Sequence, residues 1–310
     1  MDRTWFIIQS SITVQVAPQL PTGMVTDALW TDINGDDLID LIIVGEWMPI
    51  MIFKNNGATF TDITIDAGLS QSSGWWNCIQ EADIDNDGDI DFLAGNLGIN
   101  SKLKTSEKNP VSLYVKDFDR NGNIDQILCL QKNGLDIPFA TRDELLKQIP
   151  GLGSNIPSYS GYSKVRSIDD LFSKEQLRNI PVREAKAFHS SYIENLGNET
   201  FKIHHLPTEA QFAPVLSILP GDFDKDEHMD LLLGGNFNGA SINLGLYDAS
   251  YGFFLKGDGN GAFTTVPFDC GWFIKGEIRD LKRVNLHDGR TLIMVARNND
   301  SIQIFNWMNK

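Results

Sequence analysis

Four stretches built on one acidic template constrain this chain more than any other feature. "DINGDDLID" spans residues 32–40, "DIDNDGDID" 83–91, "DFDRNGNID" 117–125 and "DFDKDEHMD" 222–230. Each has Asp at the first position, Asp or Asn at the third and fifth, and Asp at the ninth. In the second stretch carboxylates alternate from end to end, which like-charge repulsion disfavours unless a cation sits among them. Spaced recurrence makes this a repeat architecture rather than a local motif.

As such a loop turns, the side chains at positions 1, 3 and 5 converge. A carbonyl at position 7 and the carboxylate at position 9 complete a shell of hard oxygens, which suits Ca²⁺ and not Zn²⁺. The expected ligands of the first loop are Asp32, Asn34, Asp36, the Leu38 carbonyl and Asp40. Those of the second are Asp83, Asp85, Asp87, the Asp89 carbonyl and Asp91. The third offers Asp117, Asp119, Asn121, the Asn123 carbonyl and Asp125, and the fourth Asp222, Asp224, Asp226, the His228 carbonyl and Asp230. About three to four Ca²⁺ are expected. Their carboxylates come close to the whole net charge of −15.

Position 6 needs a residue at ease with positive φ. Gly88 and Gly122 fit, Asp37 is tolerable and Glu227 fits poorly, which makes the fourth loop the weakest on backbone grounds. These are not EF-hands, because position 12 falls on Ile43, Ala94, Leu128 and Leu233 instead of a bidentate Glu. The plain alternative, a polar turn, explains one such stretch. It does not explain four copies that all keep the ninth Asp.

Apolar, β-prone segments flank every loop, such as "MVTDALW" and "LIIVGEW" around the first. Hairpin signals follow at Asn56-Gly57, in "YIENLGNETFKI" (192–203) and in "GFFLKGDGNGAFTTV" (252–266). Strand, acidic loop, strand, strand, Gly turn, strand is the content of one propeller blade. The expected fold is all-β: a single domain over 1–310, a β-propeller of about five four-stranded antiparallel blades, with an incomplete ring allowed. A helical insertion is expected over 134–188, where Thr141/Glu144 and Ser173/Gln176 form capping boxes. The stretch from Gly276 to Phe305 reads as a last blade whose acidic loop has eroded.

The acidic balance argues against a nucleic-acid partner. No apolar run approaches the length of a membrane span, so no membrane insertion is expected. The opening "MDRTWFIIQSSITVQV" lacks the pattern of a secretory leader. Cys78, Cys129 and Cys270 lie far apart without zinc spacing and read as buried small side chains, with one disulfide at most. No HExxH, nucleophile elbow, P-loop or dinucleotide fingerprint is present. His204 and His205 should point to opposite faces of a strand. Trp47, Trp75, Trp76 and Trp272 could line a sugar-binding surface; packing between blades is the blander reading.

The acidic loops, the "GN" after the second and fourth, and the Gly-rich turns resemble FG-GAP/VCBS repeats, the calcium-loop blades of integrin α-subunit propellers. "GEWMPI", "GWWNCI", "AGNLGIN", "TRDELLKQIP", "LPTEAQFAPV" and "YDASYG" resemble the C-terminal propeller part of bacterial relatives of cartilage acidic protein, which are ASPIC-type envelope proteins. That resemblance implies an extracellular or cell-envelope location and a chain that is part of a longer protein. The expected function is a non-catalytic calcium-binding recognition or adhesion module for a protein or glycan ligand. The alternative is a carbohydrate-active enzyme, a lyase or hydrolase on the same scaffold. A pocket under the insertion with convergent cationic or Tyr side chains, distinct from the loops, would favour it.

Overall fold

The computed structural model describes residues 23–307; the opening segment lies outside them. Each acidic stretch joins two antiparallel strands. β1 (Met24–Thr31) and β2 (Asp40–Met48) flank the first, β6 (Cys78–Ala82) and β7 (Asp91–Gly95) the second. β8 (Val111–Lys116) and β9 (Asp125–Lys132) flank the third, β14 (Val215–Gly221) and β15 (Asp230–Gly235) the fourth. The ninth Asp is therefore always the first residue of the strand that follows its loop.

A Gly-turn hairpin extends three of these pairs to four strands. The hairpins are β3 (Met51–Asn55) with β4 (Phe60–Asp62), β12 (Ser191–Asn195) with β13 (Phe201–His205), and β16 (Phe253–Gly257) with β17 (Phe263–Val266). At the first, Asn56 N–H reaches the Thr59 carbonyl at 2.9 Å and Gly57 takes φ +82°. A short β5 (Gly74–Trp75) adds to β2. Among the described residues the last sheet has three strands, β18 (Ile278–Asn285), β19 (Thr291–Arg297) and β20 (Gln303–Trp307). Its acidic loop has shrunk to a tight turn in which Asp288 pairs with Arg290 at 2.7 Å.

The third unit departs from the expected order. β8 and β9 pair with β10 (Leu135–Pro138) and β11 (Val182–Ala185) in the order β10-β9-β8-β11. The hairpin after this unit does not extend it; β12 pairs back onto β7 through Ile193 and Phe92. The whole third sheet is thus inserted within the second. Its neck is closed by Gly98 N–H to the Phe188 carbonyl at 2.7 Å and Asn96 N–H to Ser190 Oγ at 3.0 Å. The helices α1 (Arg142–Gln148), α2 (Tyr159–Tyr162) and α3 (Lys174–Leu177) fall inside 134–188, and both capping boxes form. That segment also carries strands β10 and β11, so it is not helical throughout.

The sheets stack face to face. β1, β6, β14 and β18 lie side by side, giving the order first, second, fourth, fifth; the third sheet leans on the first through β11 and β2. Among the described residues no packed interface returns from the fifth sheet to the first, so no ring is closed.

Burial shows why the strands after the loops read as unbroken apolar runs. Every residue of β7 and β15 is buried, because each lies between two neighbouring sheets. Phe92 and Ala94 face the first sheet while Leu93 faces the fourth. Leu231 and Leu233 face the second sheet while Leu232 faces the fifth. Each Leu or Phe among them contributes about 1.5–3 kcal/mol by leaving water. Gly95 permits the close approach of two sheets: a Cβ there would meet the Val215 carbonyl at 2.4 Å. Among the described residues no helix is long and apolar enough to cross a membrane.

Candidate metal centres

Backbone conformation makes the four loops equivalent. Position 6 has positive φ in each: Asp37 +64°, Gly88 +97°, Gly122 +90° and Glu227 +69°. Glu227 therefore takes the left-handed conformation in spite of its side chain. Position 4 does the same at Gly35, Asn86, Arg120 and Lys225. The sequence hides this second requirement, because only the first loop has glycine there.

The ninth Asp organises each corner. Its Oδ2 accepts the position-2 N–H: Ile33 to Asp40 at 3.1 Å, Ile84 to Asp91 at 3.0 Å, Phe118 to Asp125 at 2.9 Å and Phe223 to Asp230 at 2.9 Å. In the three meander sheets Oδ1 also accepts an N–H from the third strand. Asn55 donates to Asp40 at 2.7 Å, Asn195 to Asp91 at 2.8 Å and Gly257 to Asp230 at 3.0 Å. All four carboxylates are buried, so these bonds offset a large desolvation cost. Each oxygen keeps a lone pair free for a cation.

Oxygens of Asp83, Asp85 and Asp91 lie within 4.8 Å of one another, as do those of Asp117, Asp119 and Asp125, and of Asp222, Asp224 and Asp230. Asp32, Asp36 and Asp40 do not converge in this way. Asp32 instead spends its oxygens on the loop's own amides, from Gly35 at 2.9 Å and Asp37 at 2.8 Å. Burial opposes ionisation of Asp32, yet these amides together hold its pKa below the ordinary carboxylate value. Asp117 and Asp222 also accept loop amides, from Gly122 at 2.9 Å and from Lys225 at 2.6 Å, and still converge with their neighbours.

The second loop differs. Oδ1 of Asp83, of Asp85 and of Asp89 is buried without a hydrogen-bond partner among the described residues. Burial and then the Asp87 and Asp85 charges push the Asp89 pKa up to about 6. Burial likewise pushes Asp91 up to about 6, and Asp85 is raised by burial and by Asp87. Asp89 Oδ1 is buried close by, but the converging carboxylates are Asp83, Asp85 and Asp91, and neither Asp87 nor Asp89 is among them. Tyr192 closes the group, with its hydroxyl 3.2 Å from Asp91 Oδ2 and 3.4 Å from Asp85 Oδ2. Asn86 touches His228 of the fourth loop at 3.3 Å, so neighbouring corners meet.

Sequence reasoning missed one further position, the residue before the third-strand N–H donor. It is Lys54 in the first sheet, Glu194 in the second and Lys256 in the fourth. Lys256 Nζ pairs with Asp224 and lies 2.8 Å from Asp226 Oδ2, and it holds the Asp226 pKa below the usual range. Lys54 pairs with Glu199, which also accepts from Asn34 Nδ2 at 3.1 Å. The first and fourth corners therefore carry their own ammonium group. The second carries one more carboxylate, Glu194, which bonds His204 Nε2 at 2.6 Å. Cross-strand register decides this position, so no local motif reveals it.

These donors are all hard oxygens. The second loop fits a Ca²⁺ shell best, the third has the Asp cluster without a lysine, and the first and fourth fit least well. A family model now bears on the same residues. Residues 32–94 match the FG-GAP-like repeat. The matched segment starts at position 1 of the first loop and runs through β2 to β6 and the second loop into β7. The FG-GAP-like repeat thus covers the corner that fits a cation best. A search of the curated proteins finds no match.

The remaining sequence candidates separate cleanly. Trp76 and Trp272 are core side chains, while Trp47 and Trp75 are half-buried, with their rings 5.1 Å apart in a T-shaped pair. Cys78 and Cys129 are buried and free, but Cys270 is exposed, against expectation: it lies in the turn after β17. A cavity of about 580 Å³ has Lys104, Lys186 and Lys202 on its walls. The same cavity holds His189 and His205, stacked at 3.8 Å. Burial lowers both imidazole pKa values.

Proposed function

We propose that this chain is a non-catalytic, calcium-stabilised module of the FG-GAP type that recognises a protein or glycan ligand outside the cytoplasm, at the cell surface or in the envelope. The supporting observation is the common build of the four corners, with left-handed backbone at positions 4 and 6 and a buried ninth Asp. Such a corner gathers oxygens at the joint between two strands, so an ion there ties one strand to the next. The sheets then hold a rigid surface to a partner. Loops of this kind work at about 10⁻⁴ to 10⁻³ M Ca²⁺, the extracellular range, which agrees with the proposed location. The resemblance to ASPIC-type envelope proteins points the same way.

Thermal melting with and without EDTA tests the reading. Chelation is expected to lower Tm by several degrees, as loss of a bound ligand does. An unchanged Tm with excess Ca²⁺ and with EDTA would exclude structural calcium.

One observation favours the second reading, a carbohydrate-active enzyme. The cavity of about 580 Å³ places three lysines beside two imidazoles whose pKa burial lowers, in an otherwise acidic chain. Such groups suit a lyase acting on an acidic polysaccharide, where a base removes a proton beside a carboxylate held by cations. Incubation with alginate, pectate and hyaluronan, followed by absorbance of the unsaturated product, decides it. The recognition reading expects no product.

A further inference from the structure

A second crevice, lined by none of the expected loop ligands, has the build of a binding site. It opens between the first and third sheets, with a volume of about 460 Å³, and its walls include Glu46, Trp47, Trp75 and Arg183. A neighbouring cavity of about 380 Å³ shares Glu46 and Trp75 with it. Four features of its wall are left unexplained by packing alone. Trp75 Nε1 is buried and has no hydrogen-bond partner among the described residues. Glu46 is drawn out of water, and burial alone raises its pKa, with no hydrogen bond or neighbouring charge contributing. Trp47 has φ +62°, a conformation that a bulky residue rarely adopts and that clusters at ligand sites. Its ring stands at 66° to that of Trp75, which presents an aromatic corner to the crevice.

The chemistry on the walls selects the occupant. The half-buried Glu46 carboxyl group has no hydrogen-bonding or charged partner of its own and can take one from a ligand. Arg183 opposes a cationic ligand and Glu46 opposes an anionic one, so a neutral ligand is favoured. Aromatic faces take up C–H surfaces, and each sugar hydroxyl both donates and accepts. The two volumes each suit one or two sugar rings. We propose that this crevice binds a neutral sugar, with the ring against Trp47 and Trp75 and its hydroxyls shared between Glu46 and Arg183. Among the described residues Glu46 is the one carboxylate on the walls of either cavity, so those residues do not supply the pair needed for glycoside hydrolysis. The site binds and does not cleave. This inference narrows the recognition role proposed above and rests on that role, though not on calcium.

Calorimetry and tryptophan fluorescence with cellobiose, xylobiose, maltose and chitobiose test it on the full chain. At least one of these should bind and change the fluorescence. Trp75→Phe shortens the aromatic face against which the sugar would lie, and Glu46→Gln keeps the shape and loses the charge. Each should weaken binding about tenfold or more with an unchanged circular-dichroism spectrum. No binding of any of the four up to about 10 mM would overturn the assignment. Binding that neither substitution alters would overturn it too. A chain that responds to EDTA in the melt yet takes no sugar would keep the calcium reading and lose this one.

Discussion

Asp89 and Asp91 carry the clearest electrostatic signature of the second corner. Their folded-state pKa values stand at about 6, above the ordinary 3.8, chiefly because of burial. Without metal the folded chain holds protons that the unfolded chain gives up between these limits. The stabilisation this provides is complete below pH of about 4 and is lost as pH rises to about 6. In EDTA, Tm is expected to fall over that window, and Asp89→Asn should flatten part of the fall. Differential scanning fluorimetry across the window reads this directly; equal slopes in wild type and variant would contradict it. With Ca²⁺ the trend reverses, since protons and the cation compete for the same oxygens.

At the scale of the loop and its strands, four copies of one template are not four equal sites. The third-strand residue sets the difference: Lys256 lies against Asp224 and Asp226, whereas Glu194 stands at the matching place in the second sheet. An ammonium beside the same oxygens repels a dication and lowers its affinity. Lys256→Met is expected to add or strengthen one Ca²⁺ site, and Glu194→Lys to weaken the tightest one. Terbium luminescence titration counts these sites; identical titrations in both variants would refute the role given to this position. The loops, their flanking strands and the Gly-turn hairpins were legible from sequence because each is set by residues within a dozen positions. Lys54, Glu194 and Lys256 were not, because only strand register brings them to the corner. Position 4 was missed for another reason: Asn86, Arg120 and Lys225 adopt positive φ without the glycine that would announce it.

For the whole molecule, the point least legible in sequence was that one sheet is inserted within another. β7 and β12 are neighbours in space but lie about a hundred residues apart, and the strand–loop–strand unit between them looks like one more blade. What decides the pairing is tertiary. Asp91 Oδ1 needs the Asn195 N–H, and Phe92 packs on Phe201 with ring centroids 5.6 Å apart. Because Gly98 and Phe188 meet at the neck, a short Gly-Ser link replacing 99–187 should leave the other sheets folded. The expected cost is several degrees of Tm from exposing the face of β2 that β11 covers. Circular dichroism with retained Ca²⁺ response at the second loop would show this. An unfolded product would mean that the third sheet is integral to the stack.

Calorimetric titration of the metal-free chain with Ca²⁺, run beside an Asp83→Asn/Asp85→Asn variant, tests the central claim most directly. The claim is that recurring carboxylates at strand joints cage divalent cations, the second corner foremost. Saturable binding in wild type whose tightest step vanishes in the variant is the result it predicts. No binding at millimolar Ca²⁺, or the same isotherm in both proteins, would contradict it.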